Sequence, residues 1–141
     1  MNTDFEQISI EVLEESTQLY LQFEKRGGLL PVAVQESSTG QILMLASVSE
    51  AAFEETIRSG MATFFSTSRQ QLWTKGETSG DFLRVDEILV DCDQDALVYR
   101  VTLLGEGVCH TFDPDGRHRK ACFYRKLNPN KTELLFLAST K

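Results

Sequence analysis

Residues of β-rich character come in paired runs along this chain, and a short polar stretch splits each pair. Pro31-Val-Ala-Val-Gln35 and Gln41-Ile-Leu-Met-Leu-Ala46 flank Ser37-Ser-Thr-Gly40, and the runs from Phe82 to Cys92 and from Ala96 to Leu104 meet at Asp93-Gln94-Asp95. β-Branched, aromatic and apolar residues suit a half-buried pleated surface, and Ser-Thr-Gly composition suits a turn, so the first pair reads as a hairpin. The second pair supplies two further strands. Between the pairs, Ser49 precedes Glu50–Ile57 and Gly60 follows, an N-cap hydroxyl and a C-terminal glycine that bracket a short helix. A strand over Ala62–Ser66 comes next. The expected fold is α+β, a largely antiparallel sheet carrying one or two helices.

Other segments are less regular. Apolar positions Phe5, Ile8, Val12 and Leu13 lie near helical spacing, which predicts an N-terminal helix within Thr3–Lys25, interrupted near Ser16-Thr17 and stopped by Gly27-Gly28. Ser66 to Gly80 is polar and glycine-punctuated, with the composition of a loop, although it holds the one tryptophan, Trp73. Asp113-Pro-Asp-Gly116 is a turn signal with a mechanism, since proline presets one dihedral and glycine tolerates the next. The tail from Thr132 to Lys141 fits strand or helix.

A chain of 141 residues suits one domain, and 41% hydrophobic with 25% charged residues is ordinary globular composition. The formal net charge of −7 argues against a duplex nucleic acid partner. No basic segment followed by an apolar run opens the sequence, and no run of about 18 apolar residues crosses it, so neither export nor membrane insertion is expected. Three cysteines, an odd number, fit a reducing compartment and predict a cytoplasmic setting.

Asp91-Cys92-Asp93-Gln94-Asp95 carries the most chemical information. Three carboxylates this close repel unless they are solvated, protonated or neutralised, and a hard cation such as magnesium favours oxygen ligands of this kind. A calcium loop is excluded, because Ala96 stands where glycine is required and Thr102 where the bidentate glutamate is required. On an extended segment Asp91, Asp93 and Asp95 would share one face and Cys92 the other. Cys92 would then find its partners elsewhere, and Cys109 and Cys122 are the other thiols. Three thiolates with one open position suit a catalytic zinc. On the residues alone, the acids read equally well as a solvated turn and the cysteines as buried packing residues.

His110 is placed beside Cys109 as a general acid or base or as a bystander, and His118, in the basic Arg117–Lys120 stretch, as a solvated turn residue. Ser66, Ser68, Arg69, Lys75, Thr78 and Ser79 offer hydroxyls and cations able to bind phosphate oxygens. Trp73 reads first as a core residue, with base stacking as the alternative.

Taken together, Leu72-Trp-Thr-Lys-Gly-Glu-Thr-Ser-Gly80, Val90-Asp-Cys-Asp-Gln-Asp-Ala96, Cys109-His-Thr111 and Cys122-Phe-Tyr-Arg125 resemble the phosphoribosyl-AMP cyclohydrolase family of histidine biosynthesis. The likeness runs from about Gly28 to Leu127, dividing a single domain into an N-terminal extension (1–27), a core (28–127) and a tail (128–141). The resemblance implies an intertwined homodimer in which Cys92 of one chain joins Cys109 and Cys122 of the other around zinc. It also implies magnesium on Asp91, Asp93 and Asp95, proton transfer by His110, and hydrolytic opening of a purine ring between N1 and C6 without loss of ammonia. Ser66, Ser68, Arg69, Trp73, Lys75, Glu77, Thr78 and Ser79 match the substrate segment. Three departures stand out: Thr67 where the family commonly has arginine, Ala46-Ser-Val-Ser49 where it often reads Ala-Tyr-Met-Asn, and a longer interval between Cys109 and Cys122.

Overall fold

The computed structural model describes residues 8–138. Its elements in chain order are α1 (Ile10–Glu15), a single 3-10 turn (Glu24–Arg26), β1 (Leu29–Glu36), β2 (Ile42–Ser49), α2 (Glu50–Ser59), β3 (Thr63–Ser66), β4 (Gln71–Thr74), β5 (Leu83–Val90), β6 (Leu97–Leu103), β7 (Arg125–Leu127) and β8 (Leu134–Phe136). The α+β expectation holds, with two α-helices and mostly antiparallel pairing.

Both predicted strand pairs form. β1 and β2 pair antiparallel with Leu30 opposite Val48 and Val32 opposite Ala46, and β5 and β6 pair antiparallel with Ile88 opposite Tyr99. The hairpins join through β1 and β6, which run parallel with Val34 opposite Tyr99, to give the order β2-β1-β6-β5. That parallel contact is a non-local pairing that no turn signal announces. Burial alternates as a strand demands: Leu30, Val32 and Val34 from β1 and Leu97, Tyr99 and Val101 from β6 all face the core. Each fully buried Val or Leu contributes about 1.5–3 kcal/mol, so this shared face is what holds the two hairpins together.

Helix α2 begins where its cap predicted. Ser49 Oγ accepts from the Ala52 N–H at 3.1 Å, and Gly60 closes the helix in the left-handed region at φ 77°. One turn apart, Ala52 and Thr56 face inward. Thr56 Oγ1 donates to the Ala52 carbonyl at 3.0 Å and accepts from the Thr63 N–H at 3.0 Å, which fastens the helix to the start of β3. β3 pairs with β4, and the Phe64 ring lies 5.1 Å from Trp73 and 6.1 Å from Tyr99. The Ser66–Gly80 segment is therefore not all loop: its first part is a hairpin strand, turned by Gln70 at φ 52° rather than by a glycine.

Near the N-terminus the helical pattern ends earlier than predicted. α1 stops at Glu15, where Ser16 Oγ donates back to the Val12 carbonyl at 2.5 Å and accepts from the Gln18 N–H at 3.1 Å. A helix that buries no residue has little to extend it. The interruption expected at Ser16-Thr17 is real, whereas Phe5 lies outside the described residues. In the tail, β7 and β8 form a small hairpin with Lys126 opposite Leu135. Residues 139–141 also lie outside the described set. Among the described residues no helix is long and apolar enough to cross a membrane.

Candidate active site

A cleft of about 330 Å³ opens between the loop after β4 and the segment that carries Cys109. One wall is built by the turn following Thr74. The Lys75 N–H donates to the Ala62 carbonyl at 3.0 Å, and the Gly80 N–H donates to the Gly76 carbonyl at 2.7 Å. Gly76 is buried at φ 98°, and a Cβ there would lie 2.4 Å from the Phe82 nitrogen. No side chain fits in that conformation or that space. Gly76→Ala is expected to cost about 2–4 kcal/mol, combining left-handed strain with overpacking, which thermal denaturation would register as a clear fall in melting temperature.

The facing wall is held by backbone pairing. Val108 and Cys109 donate their N–H groups to the Lys120 and Arg119 carbonyls, both at 3.1 Å. Asp81 ties the walls together: it is buried, lines the cleft, and its Oδ1 accepts from the Glu106 N–H at 2.9 Å.

Arg69, Trp73, Lys75, Glu77, Thr78 and Ser79, six of the expected substrate residues, line this cleft together with Cys109 and His110. Trp73 packs against Phe64, with ring centroids 5.1 Å apart, and also lines the cleft. Ser66 and Ser68 do not line the cleft. Their hydroxyls sit 3.3 Å apart, and Ser66 Oγ accepts from the Arg69 N–H at 3.2 Å, so they shape the turn that delivers Arg69.

Cys109 is buried and the Cys122 sulfur lies against it. Thr111 approaches the Cys109 sulfur with its hydroxyl at 3.0 Å and its N–H at 3.5 Å. The Cys122 N–H donates to the Leu43 carbonyl at 2.7 Å, which anchors that strand of chain to β2. Desolvation at the sulfur, with the neighbouring Cys109 thiol, pushes the Cys122 thiol up to about 11, against a smaller pull from Lys75. A thiol that resists ionising beside a second sulfur is an arrangement that a soft divalent cation would relieve. Cys92 is exposed beyond the end of β5, and the three thiols form no common ligand group within the described chain.

The aspartates do converge, but not by strand alternation. Residues 91–96 form a turn in which Gln94 adopts φ 58° and Asp91 Oδ1 accepts from the Asp95 and Ala96 N–H groups at 2.8 and 3.0 Å. The extended-segment premise is thus corrected: an Asx-type turn, not a pleat, brings Asp91, Asp93 and Asp95 to within 4.8 Å of one another. Burial raises the Asp91 carboxyl, while the Lys25 ammonium, aided by Arg26, holds Asp95 well below the usual carboxylate range. Lys25 Nζ stands 2.9 Å from Asp95 and 3.1 Å from Asp93, and Arg26 Nη2 stands 3.1 Å from Asp95. Asp95 Oδ1 is buried without a hydrogen-bond partner, an acceptor that a hard cation would satisfy. Gln94 laces the N-terminal segment over this turn, donating to the Leu13 and Gln18 carbonyls at 3.1 and 3.0 Å and accepting from the Tyr20 N–H at 2.7 Å.

Comparison with known proteins decides the family. The model described as phosphoribosyl-AMP cyclohydrolase matches residues 44–124. The protein of that name from Desulfatibacillum aliphaticivorans is 47% identical over 111 residues, covering 79% of this chain and 84% of the relative. The chain belongs to the phosphoribosyl-AMP cyclohydrolase family. A second cyclohydrolase, from Desulforapulum autotrophicum, is 48% identical over 107 residues, covering 76% of this chain and 81% of its own. The histidine biosynthesis bifunctional protein HisIE of Thermus thermophilus is 46% identical over 117 residues, covering 83% of this chain but only 51% of that longer relative. The matched residues include the cleft walls, the aspartate turn and all three thiols of this family member.

Two lining residues escaped sequence reasoning. Asp81 belongs to no motif that the sequence announces, and His118 reads there as a solvated turn residue, yet both line the cleft. The signal for His118 was the longer interval between Cys109 and Cys122, which only makes sense once Phe112 and His118 are seen to bridge across it.

Proposed function

We propose that this protein is a phosphoribosyl-AMP cyclohydrolase acting in histidine biosynthesis, which opens the purine ring hydrolytically between N1 and C6. One water is consumed, its oxygen becomes the carbonyl of a carboxamide at C6, and N1 leaves with a proton while the amino group at C6 is retained. The observation that carries the proposal is the meeting of Cys109 and His110 with Arg69, Trp73 and Lys75 at one cleft in a member of this family.

Within that reading, Arg69 and Lys75 meet anionic phosphate oxygens, and Trp73 offers a face to the base. His110 moves the proton from the attacking water toward N1, a task suited to imidazole near neutral pH. Cys109 and Cys122 of one chain, with Cys92 of a second, would hold zinc, which when bound supplies Lewis acidity and an acidified water. Asp91, Asp93 and Asp95 would hold magnesium, which offsets phosphate charge. The homodimer is favoured by the split thiol set, since Cys92 follows the exposed Leu89 and Val90 and Cys122 precedes the exposed Phe123. Apolar side chains beside each half of the set are suited to burial by a second copy. Free thiols fit a reducing cytoplasm.

Purified protein supplied with zinc and magnesium should consume phosphoribosyl-AMP with the absorbance change of ring opening. A metal-loaded dimer without turnover rejects the proposal. A second reading, a paralogue acting on another purine nucleotide, draws on Thr67 in place of a cation and on Ala46–Ser49. Turnover of AMP or adenosine in preference to phosphoribosyl-AMP would favour it.

A further inference from the structure

The chain between Cys109 and Cys122 is fastened where a long loop could be slack. Phe112 and His118 form an isolated bridge, and Asp113 closes the turn between them, its N–H donating to the Arg117 carbonyl at 2.8 Å and its Oδ1 accepting from Asp115 and Arg117. His118 is the residue this small hairpin delivers to the cleft. Three contacts fix it there. Its N–H donates to Glu106 Oε1 at 3.1 Å, its ring lies 4.4 Å from the Phe112 ring, and its Nδ1 stands 2.9 Å from the Cys109 carbonyl oxygen.

The last contact settles which nitrogen carries the hydrogen. A carbonyl oxygen only accepts, so Nδ1 is the donor, and the neutral ring keeps its lone pair on Nε2. No hydrogen bond within the described residues engages Nε2. The cleft already has Arg69 and Lys75 for anionic oxygens, whereas a lone pair needs a donor.

We propose that His118 is a substrate-binding residue whose Nε2 accepts a hydrogen bond from a ribose hydroxyl of the bound nucleotide. This rests on the nucleotide specificity proposed above. His118 is thereby a specificity determinant for a hydroxylated sugar, separate from the proton-transferring His110.

The test uses zinc- and magnesium-loaded protein and AMP, 2′-deoxy-AMP and 3′-deoxy-AMP as probes, with binding read by the fluorescence of Trp73 in the cleft wall. Wild-type protein should prefer AMP to one deoxy analogue by about tenfold, the worth of a hydrogen bond. His118→Asn keeps a donor near the Nδ1 position and removes the distal acceptor, so it should bind AMP and both analogues alike. His118→Gln, with an acceptor near the Nε2 position, should restore part of the preference. In turnover, His118→Asn should raise KM with little change in kcat. A merely structural His118 gives the opposite pattern: His118→Asn discriminates like wild type and His118→Gln does not. That pattern, a wild type indifferent to both hydroxyls, or a wild type that does not bind AMP overturns the proposal. Protein that discriminates as expected yet never turns over phosphoribosyl-AMP sinks the proposed function and leaves the role of His118 standing.

Discussion

With Cys122 holding zinc as proposed, Cys122→Ser should lower turnover of phosphoribosyl-AMP by about a thousandfold and leave the purified protein without zinc, because several kcal/mol of Lewis-acid assistance would disappear at about 1.4 kcal/mol per decade. Serine fills nearly the same space, so the substitution removes a soft sulfur donor and little else. Cys122 is exposed as a residue and donates only its backbone N–H to Leu43, a bond that serine keeps. Folding should survive. Metal analysis and thermal denaturation, run beside the assay, separate the two effects: normal melting with lost zinc is the expected pair. A variant that keeps both zinc and turnover contradicts the role given to this thiol.

His110→Ala should reduce kcat by about 10²–10⁴, the usual worth of a positioned acid or base, while zinc content stays at the wild-type level. The contrast with Cys122→Ser is the informative part. His110 is exposed at the cleft and adjoins a buried Cys109, so it can reach solvent and substrate while its neighbour stays fixed. Loss of zinc from His110→Ala would show that the imidazole binds metal. Unchanged kcat would remove it from the chemistry.

How much of this was legible in advance depended on whether the cause was local. Ser49 and Gly60 announce α2 because a cap and a left-handed terminus are decided by adjacent residues. Ser37–Gly40 announces the first hairpin for the same reason. The parallel contact of β1 with β6 was invisible, since Val34 and Tyr99 meet only through burial of a shared face. β4 hid within polar composition because Gln70, not glycine, makes its turn. The aspartate turn was anticipated as a cluster but for the wrong reason: Asp91 folds the chain back by accepting two N–H groups, which overrides strand alternation. Lys25 and Arg26 joined that cluster from far along the chain, beyond the reach of any spacing rule.

The site residues divide along the same line. Arg69 to Ser79 were readable as a contiguous motif, and the structure gathers most of them at one cleft. His118 was not, because its role depends on Phe112, Glu106 and the Cys109 carbonyl, three contacts made by tertiary folding. Cys92 is exposed beyond the end of β5, and among the described residues the three thiols form no common ligand group.

The proposed shared site is testable in one measurement. Cys92→Ser and Cys109→Ser, each inactive as a homodimer, would be co-expressed with different tags and the mixed dimer purified and assayed with zinc and magnesium. If each site takes Cys92 from one subunit and Cys109 with Cys122 from the other, the mixed dimer retains one intact site and about half of wild-type turnover. A mixed dimer as inactive as its parents would mean that no site is assembled across the two chains.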